Sequence, residues 1–314
     1  MRTFDVGLVS SCLGTHKLSS GIITGRTHHH WGGSDTAQGT LFSVLKAYLG
    51  LPIYQCRQVY GNNVTTNVMS GDHNVPDPHI VTETYHLDDY DKDSTLATSN
   101  STCRFLVQTT ANDNHDRRHR GLFLDMANGR RWVHLNAQDK NILNMFSYTC
   151  AFSGAALQGG ARQVVNIDMA LGAIKMGQRN HELLPRNVEG VARFLNHDIW
   201  KSWGKLRKLG PYDIIVVDPP SYQKGSFVAK KDYPKLIRRL PDLLAPPSSP
   251  EQVSRTSQVL LCLNAPELGM SFLQEAVAEA APQLQFVKQI ENPLSFPAID
   301  PERALKVLLY ELRQ

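Results

Sequence analysis

Short runs of consecutive apolar residues alternate with longer amphipathic stretches from residue 141 onward. The apolar runs predict strands at 141–146, 163–168, 191–196, 212–217, 258–263, 284–290 and 304–312. The stretches between them predict helices that begin near Ser153 and span 170–184, 199–209, 232–244 and 271–281. Strands that alternate with helices of about 10–15 residues pair in parallel, and continuously apolar strands indicate a sheet that is covered on both faces. We therefore predict an α/β fold with a doubly wound sheet.

The two final predicted strands follow each other without an intervening helix. That order fits a mostly parallel seven-stranded sheet whose last strand is reversed. Residues 1–100 are rich in Gly, Ser, Thr, His and Asn, and they predict only a helix at 40–54 and a strand at 64–69. The pattern divides the chain into a smaller N-terminal α+β region at 1–100, with substrate binding as one interpretation, and a main domain at 101–314.

Composition places the chain among globular proteins. It has 314 residues, of which 41% are hydrophobic and 20% are charged, and this length suffices for two domains. No apolar run reaches the roughly 18 residues of a membrane span, and the first residues lack the order of a signal peptide. We expect a cytoplasmic protein without membrane contact. The five scattered cysteines form no C-x-x-C pair, so we expect neither a metal site nor a disulfide framework.

The formal net charge of +4 is compatible with a polyanionic partner but does not require one. Basic residues cluster at 117–120, 130–131, 230–231 and 238–239, close in sequence to the residues with candidate chemistry. Each cluster is either part of an RNA-binding surface or ordinary solvated charge.

Polar residues follow the predicted strands at their carboxyl ends, where ligands bind in a doubly wound sheet. The first strand runs into Phe146, Ser147, Tyr148 and Thr149, whose small and hydroxylated members favour a sharp turn beneath a ligand. Asp168 ends the second strand, and Asp198 follows the third. The Asp168 carboxylate is placed to accept hydrogen bonds from ribose hydroxyls, and the Asp198 carboxylate to accept from an adenine amino group. For both residues, capping of the helix that follows is the alternative.

The fourth strand stops at Asp218-Pro219-Pro220-Ser221-Tyr222. Two prolines fix φ and remove N–H donors, so the loop is rigid and its carboxylate is fixed. Such a loop receives an amino group or orients a flat base, and Tyr222 is placed to stack on that base.

With these residues the chain resembles class I methyltransferases of the large-subunit ribosomal RNA group, which use S-adenosylmethionine (SAM) and have a Rossmann-like fold. The stretches that carry the resemblance are Gly121-Leu122-Phe123-Leu124-Asp125, 144–149, 159–161, 165–169, Arg179-Asn180 and 218–221. Two branches are similar: a cytosine-C5 enzyme with an N-terminal PUA domain, and the guanine-N7 half of a bifunctional enzyme.

The resemblance implies a role for each matching residue. The stretch Phe146, Ser147, Tyr148 and Thr149 lines the methionine end of SAM, Asp168 with Met169 takes the ribose, and Asp198 takes the adenine. Asp125, with Arg130 and Arg131 after it, lies beside the cofactor and target pocket. Asp218, Pro219 and Pro220 form the methyl-transfer site, where Asp218 and Asn264 orient the acceptor.

The sequence departs from the C5 branch at the turn after the fifth strand. That branch keeps a nucleophilic cysteine there, whereas this chain reads Leu263-Asn264-Ala265-Pro266 and Cys262 lies on the strand itself. Cytosine C5 needs a thiolate added at C6, so we expect direct, non-covalent transfer to nitrogen instead, with C5 methylation as the alternative. The guanine-N7 branch needs no covalent step and has a counterpart of Asn264.

Other possibilities stay open at this point. The substrate is RNA, expected to be ribosomal, or alternatively a protein or a small molecule; a SAM-fold RNA-binding module without catalysis is a further alternative. Residues 1–100 match neither branch's N-terminal domain clearly. The oligomeric state is undetermined, with a homodimer as one option.

Overall fold

The computed structural model describes residues 22–27, 53–60, 63–70, 79–85, 101–107, 121–223, 227–246, 256–293 and 300–313. These residues belong to two compact units. One unit contains residues up to Ile80 together with 107–123 and 294–297, and the other contains 81–106, 124–293 and 298–314. The basic cluster at 117–120 and most of the predicted helix at 40–54 lie outside the described residues.

The first unit contains an antiparallel sheet of three strands in the order β1-β3-β2. The strands are β1 (Ile22–Thr27), β2 (Ile53–Tyr60) and β3 (Asn63–Ser70). The predicted strand at 64–69 is therefore confirmed. The predicted helix is wrong at its end, because Ile53 and Tyr54 lie in β2 and pair with β3. Two further strands, β4 (His79–Tyr85) and β5 (Ser101–Val107), form a separate pair.

A seven-stranded sheet in the order β13-β14-β12-β9-β6-β7-β8 organises the second unit. Its strands are β6 (Asn141–Met145), β7 (Gln163–Asp168), β8 (Val191–Asn196), β9 (Ile214–Val217), β12 (Gln258–Leu263), β13 (Leu284–Gln289) and β14 (Lys306–Leu312). β14 runs antiparallel to β12 and β13, while β8, β7, β6, β9 and β12 are mutually parallel. The predicted mostly parallel seven-stranded sheet is thus confirmed.

The described helices are α1 (Ala127–Asn136), α2 (Ala151–Gln158), α3 (Leu171–Glu182), α4 (Trp203–Leu209), α5 (Ala229–Ile237) and α6 (Met270–Ala280). A short hairpin, β10 (Tyr222–Gln223) with β11 (Phe227–Val228), lies between β9 and α5. None of the helices in the described ranges is long and apolar enough to cross a membrane.

The main hydrophobic core lies between one face of the sheet and helices α4, α5 and α6. Sheet residues such as Leu143, Ile215 and Leu261 pack there with Trp203 of α4 and Leu236 of α5, all buried. α2 and α3 cover the opposite face, as right-handed crossovers running both ways from β6 require.

The topology places a crevice at one edge of the sheet. From β6 the chain moves outward through β7 and β8, then returns to the other side of β6 to form β9 and β12. This reversal between β6 and β9 is the switch point at which doubly wound sheets bind ligands, outside the carboxyl ends of the strands. The residues that follow β6, β7, β8, β9 and β12 therefore share one edge.

Candidate functional site

The turn after β6 has an unusual backbone. Phe146, Tyr148 and Cys150 have φ values of 54°, 45° and 59°, a left-handed region that side chains with a Cβ seldom occupy. The Ser147 amide donates to the Ile167 carbonyl at 3.1 Å, which ties the turn to the end of β7. Strained backbone of this kind persists where surrounding structure fixes it, and it is concentrated at ligand sites.

Two residues of α3 hold this turn from below. A Cβ on Gly177 would lie 2.5 Å from the Cys150 sulfur, so only glycine fits there. The buried Asn180 side chain donates to the Thr149 carbonyl and accepts from the Leu106 amide, both at 2.8 Å. The sequence assigns Asn180 no role, because its burial and its two backbone partners depend on residues that are far away along the chain.

A chain of buried hydrogen bonds runs beneath β6 and β7. Asn144 donates to Asn166 at 2.9 Å, Asn166 donates to Ser153 at 3.0 Å, and Ser153 lies 2.8 Å from Nε2 of His181. Burial lowers the pKa of His181, which favours the neutral ring at neutral pH. These contacts satisfy polar groups in an otherwise apolar sheet, as burial requires, and they fix β6 and β7 just before their ligand-facing ends.

Asp168 joins the turn after β6 to the end of β7. One carboxylate oxygen accepts from the Tyr148 amide at 2.9 Å and the other from the Ala170 amide at 2.8 Å. A carboxylate offers about four acceptor positions, and the amides of the described residues occupy two of them on Asp168. The capping alternative is not what the structure shows, because Ala170 is the N-cap residue of α3 and no side chain caps that helix. Met169 beside it is 48% exposed.

Asp198 occupies a similar turn after β8. Its carboxylate accepts from the Trp200 amide at 2.8 Å, and the following residues form a turn before α4 begins at Trp203. The predicted helix start at 199 is therefore wrong, and Asp198 does not cap α4. It remains partly exposed at the same edge of the sheet as Asp168.

Asp218 directly follows β9 and is the most perturbed carboxyl group of the site. Burial, and then the negative charge of Asp125, raise its pKa from 3.8 to about 7, while Arg130 opposes this shift. Among the described residues, no hydrogen bond reaches its carboxylate. A group of this kind is half protonated near neutral pH and accepts a proton or a hydrogen bond from an incoming ligand.

The prolines and Tyr222 continue from this carboxylate. Pro219 is buried and Pro220 is exposed. Tyr222 begins the β10–β11 hairpin with 66% of its surface exposed. Phe227, on the second strand of the hairpin, packs edge-on against Phe146 with ring centroids 5.1 Å apart. This contact joins the loop after β9 to the turn after β6, on which the crevice depends.

Tyr233 of α5 fixes the strand ends beneath Asp218. Its hydroxyl lies 2.7 Å from the Cys262 carbonyl and 3.2 Å from the Val217 carbonyl, and it donates to both. The ring is fully buried and packs on Phe227. Sequence reasoning missed Tyr233, because its partners lie on strands that become neighbours only in the folded sheet.

Tyr233→Phe is expected to lower the free energy of unfolding by about 1–3 kcal/mol, because two buried carbonyls lose their shared donor. The melting temperature and urea unfolding of both proteins measure this change. Tyr212→Phe is the matched control. Its hydroxyl also donates to a buried carbonyl, that of Leu206, at 3.0 Å, but at the opposite edge of the sheet. The control is expected to lose a comparable amount of stability without a change in SAM affinity. If both changes reduce SAM affinity equally, Tyr233 has no specific role in fixing the strand ends at the site.

Asn264 follows β12 at the same edge and is partly exposed, whereas Ala265 is fully buried. Cys262 lies inside β12 with no exposed surface, and burial followed by the charge of Asp218 raises the pKa of its thiol. The buried ammonium of Lys306, on β14, donates to the Leu268 carbonyl at 2.7 Å. It anchors the loop that begins at Asn264.

Asp125, Arg130 and Arg131 are all buried. Arg130 forms a two-pronged ion pair with Glu83 of β4, and its guanidinium lies 5.6 Å from the centre of the Phe105 ring. The interpretation of 130–131 as surface charge is therefore wrong. Arg130 instead acts on the electrostatics of Asp218 from within the protein.

The fold brings together the sequence-predicted residues on the second unit. Asp168 is the last residue of β7 and Asp218 follows β9, and these two strands flank β6. Neighbouring strands lie about 4.8 Å apart, so these strand ends are separated by roughly 10 Å. The turn at 146–149 lies between these two strand ends, because it follows β6. A carboxylate at the end of β7, an exposed Met169 beside it and a carboxyl group of raised pKa after β9 are chemically compatible with an adenosyl group that bears a sulfonium cation.

Comparison with known proteins shows similar rRNA enzymes. The chain is 29% identical over 183 residues to ribosomal RNA large subunit methyltransferase I of Cronobacter sakazakii, covering 57% of this chain and 45% of that protein. It is 34% identical over 125 residues to ribosomal RNA large subunit methyltransferase K/L of Psychrobacter arcticus, covering 38% and 16%. The chain thus spans less than half the length of these relatives.

A solved structure and a family model show that the chain is also similar to methyltransferases in fold and in sequence pattern. A crystal structure described as a candidate methyltransferase in complex with SAH superposes with a TM-score of 0.56 at 25% identity, covering 67% of this chain and 54% of that one. Residues 93–311 match the model of the S-adenosylmethionine-dependent methyltransferases. Because the match spans well over half of the sequence, this chain belongs to the family of S-adenosylmethionine-dependent methyltransferases.

Proposed function

We propose that this protein transfers the methyl group of SAM to a nitrogen atom of a base in large-subunit ribosomal RNA, without a covalent bond between enzyme and base. The observation that carries the proposal is the Asp218 carboxyl group, with a pKa raised to about 7 and no hydrogen bond from the described residues. It lies at the switch point of a SAM-methyltransferase sheet. The names of the relatives support ribosomal RNA as the substrate.

The cofactor is held by residues around the turn after β6. Phe146, Ser147, Tyr148 and Thr149 line the methionine end. Asp168, beside Met169, accepts from the ribose, and Asp198 accepts from the adenine. SAM supplies an electrophilic methyl group on its sulfonium sulfur. The negative form of Asp218 is favoured beside that cation, because an opposite charge lowers the pKa of a carboxyl group.

The acceptor base is oriented by the loop after β9. The Asp218 carboxylate accepts hydrogen bonds from the base edge, and the Asn264 amide donates to it or accepts from it. The exposed Tyr222 ring stacks on the face of the base. Pro219 and Pro220 keep the loop rigid, which aligns the nitrogen lone pair with the methyl group. Where the acceptor is an exocyclic amine, Asp218 takes the proton that leaves the nitrogen; a ring nitrogen without hydrogen needs only the alignment.

Covalent C5 chemistry is disfavoured by the position of the cysteines. Every cysteine whose side chain is described, namely Cys103, Cys150 and Cys262, is buried. Burial raises the pKa of Cys150 to about 12 and that of Cys262 also rises, so neither forms the thiolate that attacks C6. By the resemblance to the cytosine-C5 branch, Ala265 stands where that branch keeps its nucleophilic cysteine.

Transfer of tritium from methyl-labelled SAM to deproteinised large-subunit rRNA tests the proposal. Wild type is expected to label the RNA, and Cys262→Ala is expected to keep its rate within about threefold, since a non-covalent reaction does not use the thiol. A loss of about 100-fold in a folded Cys262→Ala protein indicates covalent catalysis. Labelling of protein or small molecules, with none of RNA, points to a different substrate and contradicts the proposal.

Residues 1–100 are an accessory region for RNA recognition and residues 101–314 are the catalytic domain. A cytoplasmic location follows from ribosomal RNA as substrate. The protein works as a monomer or a homodimer, which mass measurement in solution distinguishes.

A further inference from the structure

The outer sides of α4 and α5 carry a dense set of cations. The exposed members are Lys201, Lys205, Arg207, Lys208, Lys230, Lys231, Lys235 and Arg238. Only two exposed or partly exposed carboxylates accompany them on these helices and the short helix after α5, namely Asp232 and Asp242. Asp232 is already engaged by Lys235 at 3.0 Å. We call these eight cations the α4–α5 basic surface.

The two helices form one surface because they share a core and a direct contact. Trp203 and Leu206 of α4 pack in the same hydrophobic core as Tyr233 and Leu236 of α5. The Arg239 guanidinium, just after α5, lies 4.1 Å from the centre of the Trp203 ring. Cations that are separate clusters in the sequence therefore lie on one side of the second unit.

The positive charge does not continue onto the neighbouring helix α6. The neighbouring helix α6 packs beside α5, but it contains no lysine or arginine and exposes Glu275 and Glu279. A polyanion is thus attracted over α4 and α5 and repelled over α6. Scattered solubilising charge gives no such division, because it mixes both signs.

The basic surface reaches the edge of the candidate site. Lys230 and Lys231 lie in the first turn of α5, directly after the hairpin that begins with Tyr222. Lys205 of α4 lies 3.1 Å from Nε2 of His197, a residue between the end of β8 and Asp198. Both helices begin at the carboxyl edge of the sheet, so the surface extends away from the crevice where the base is methylated.

We propose that the α4–α5 basic surface binds the phosphate backbone of the RNA strand that flanks the target base. This inference rests on the proposed function, because it requires RNA as the substrate. Lysine ammonium groups are mobile point charges that suit sequence-independent phosphate contacts. The surface therefore supplies affinity and orientation, while the loop after β9 selects the base.

Binding of in vitro transcribed large-subunit rRNA, measured by fluorescence anisotropy at several salt concentrations, tests the inference. The variant neutralises four cations, Lys205→Gln, Lys208→Gln, Lys230→Gln and Lys231→Gln. Its affinity is expected to fall at least about tenfold, and the slope of log affinity against log salt is expected to decrease by about 3. The control Lys175→Gln with Arg186→Gln, outside the surface, is expected to change neither. SAM affinity is expected to be unchanged in all three proteins.

The outcomes separate the two proposals. Methylation and RNA binding by wild type, with the same affinity and salt slope in the fourfold variant, overturn the basic-surface inference and leave the proposed function. An equal loss in variant and control also overturns the inference, because it shows a non-specific effect of net charge. If wild type does not bind RNA at low salt, or binds polyglutamate but not RNA, both the proposed function and the basic-surface inference are overturned.

Discussion

Asp218→Asn is expected to lower kcat for methyl transfer by about 100-fold or more, while the protein becomes more stable above neutral pH. On an exocyclic amine the change removes the proton acceptor, and loss of a positioned acid–base group costs about 10²–10⁴-fold in rate. On a ring nitrogen it removes the group that orients the base, and misplacement of the base costs about 10²-fold. In wild type, kcat/KM for SAM is expected to rise with pH through about 7, the value to which burial and Asp125 raise the pKa of Asp218 in the protein without cofactor. The pH–rate profile of kcat/KM reports this group in the free enzyme.

The stability effect has the opposite sign to the activity effect. The folded carboxyl group keeps its proton up to about pH 7, whereas the unfolded one releases it near 3.8. Its contribution to stability is therefore present below pH 4 and is lost as pH rises through 7. Asparagine avoids the cost of a buried charge, so the melting temperature of Asp218→Asn is expected to exceed that of wild type at pH 8 and to match it near pH 4. Equal melting temperatures at pH 8 contradict the burial of this charge.

Asp168→Ala is expected to raise the Kd for SAM by about 10- to 100-fold, because hydrogen bonds to a charged group contribute about 1.5–3 kcal/mol. The substitution also removes the acceptor for the Tyr148 and Ala170 amides, which loosens the turn after β6. Isothermal titration calorimetry measures the Kd, and the free energy of unfolding is measured alongside it.

Asp213→Ala separates the two effects of Asp168→Ala. The Asp213 carboxylate is buried and accepts from the Asn141 amide at 2.8 Å, but at the amino edge of the sheet, away from the crevice. The Asp213→Ala protein is expected to be less stable than wild type and to have the same Kd for SAM. A Kd that stays at the wild-type value in a folded Asp168→Ala protein removes Asp168 from the cofactor site.

The sheet was predictable because its strands are fixed by local pattern. The strands at 163–168, 191–196 and 258–263 have the predicted bounds. Short runs that contain apolar residues, rich in Val, Ile and Leu in the first and the last of these, are followed by polar turns. The order of the strand ends then places Asp168, Asp198 and Asp218 at one edge by topology alone. These predictions need no knowledge of distant contacts.

Features that depend on distant partners were not predictable. Helix α1 was missed, since its Arg130 is buried through an ion pair with Glu83, 47 positions away in sequence. The predicted helix at 232–244 begins earlier, at Ala229, and changes after Ile237 into a short 3-10 helix at Leu240–Leu243, because Pro241 lacks the N–H of a continuing helix. Tyr233 and Lys306 likewise donate hydrogen bonds to carbonyls of strands and loops that are distant from them along the chain.

Mass spectrometry of rRNA nucleosides tests the central claim most directly. Unmodified large-subunit rRNA is incubated with SAM that carries a trideuterated methyl group, together with wild type or Asp218→Asn, and is digested to nucleosides. The account predicts deuterated methyl on a ring or exocyclic nitrogen of one nucleoside with wild type, and almost none with Asp218→Asn. Label in 5-methylcytidine, or the same yield from both proteins, contradicts it.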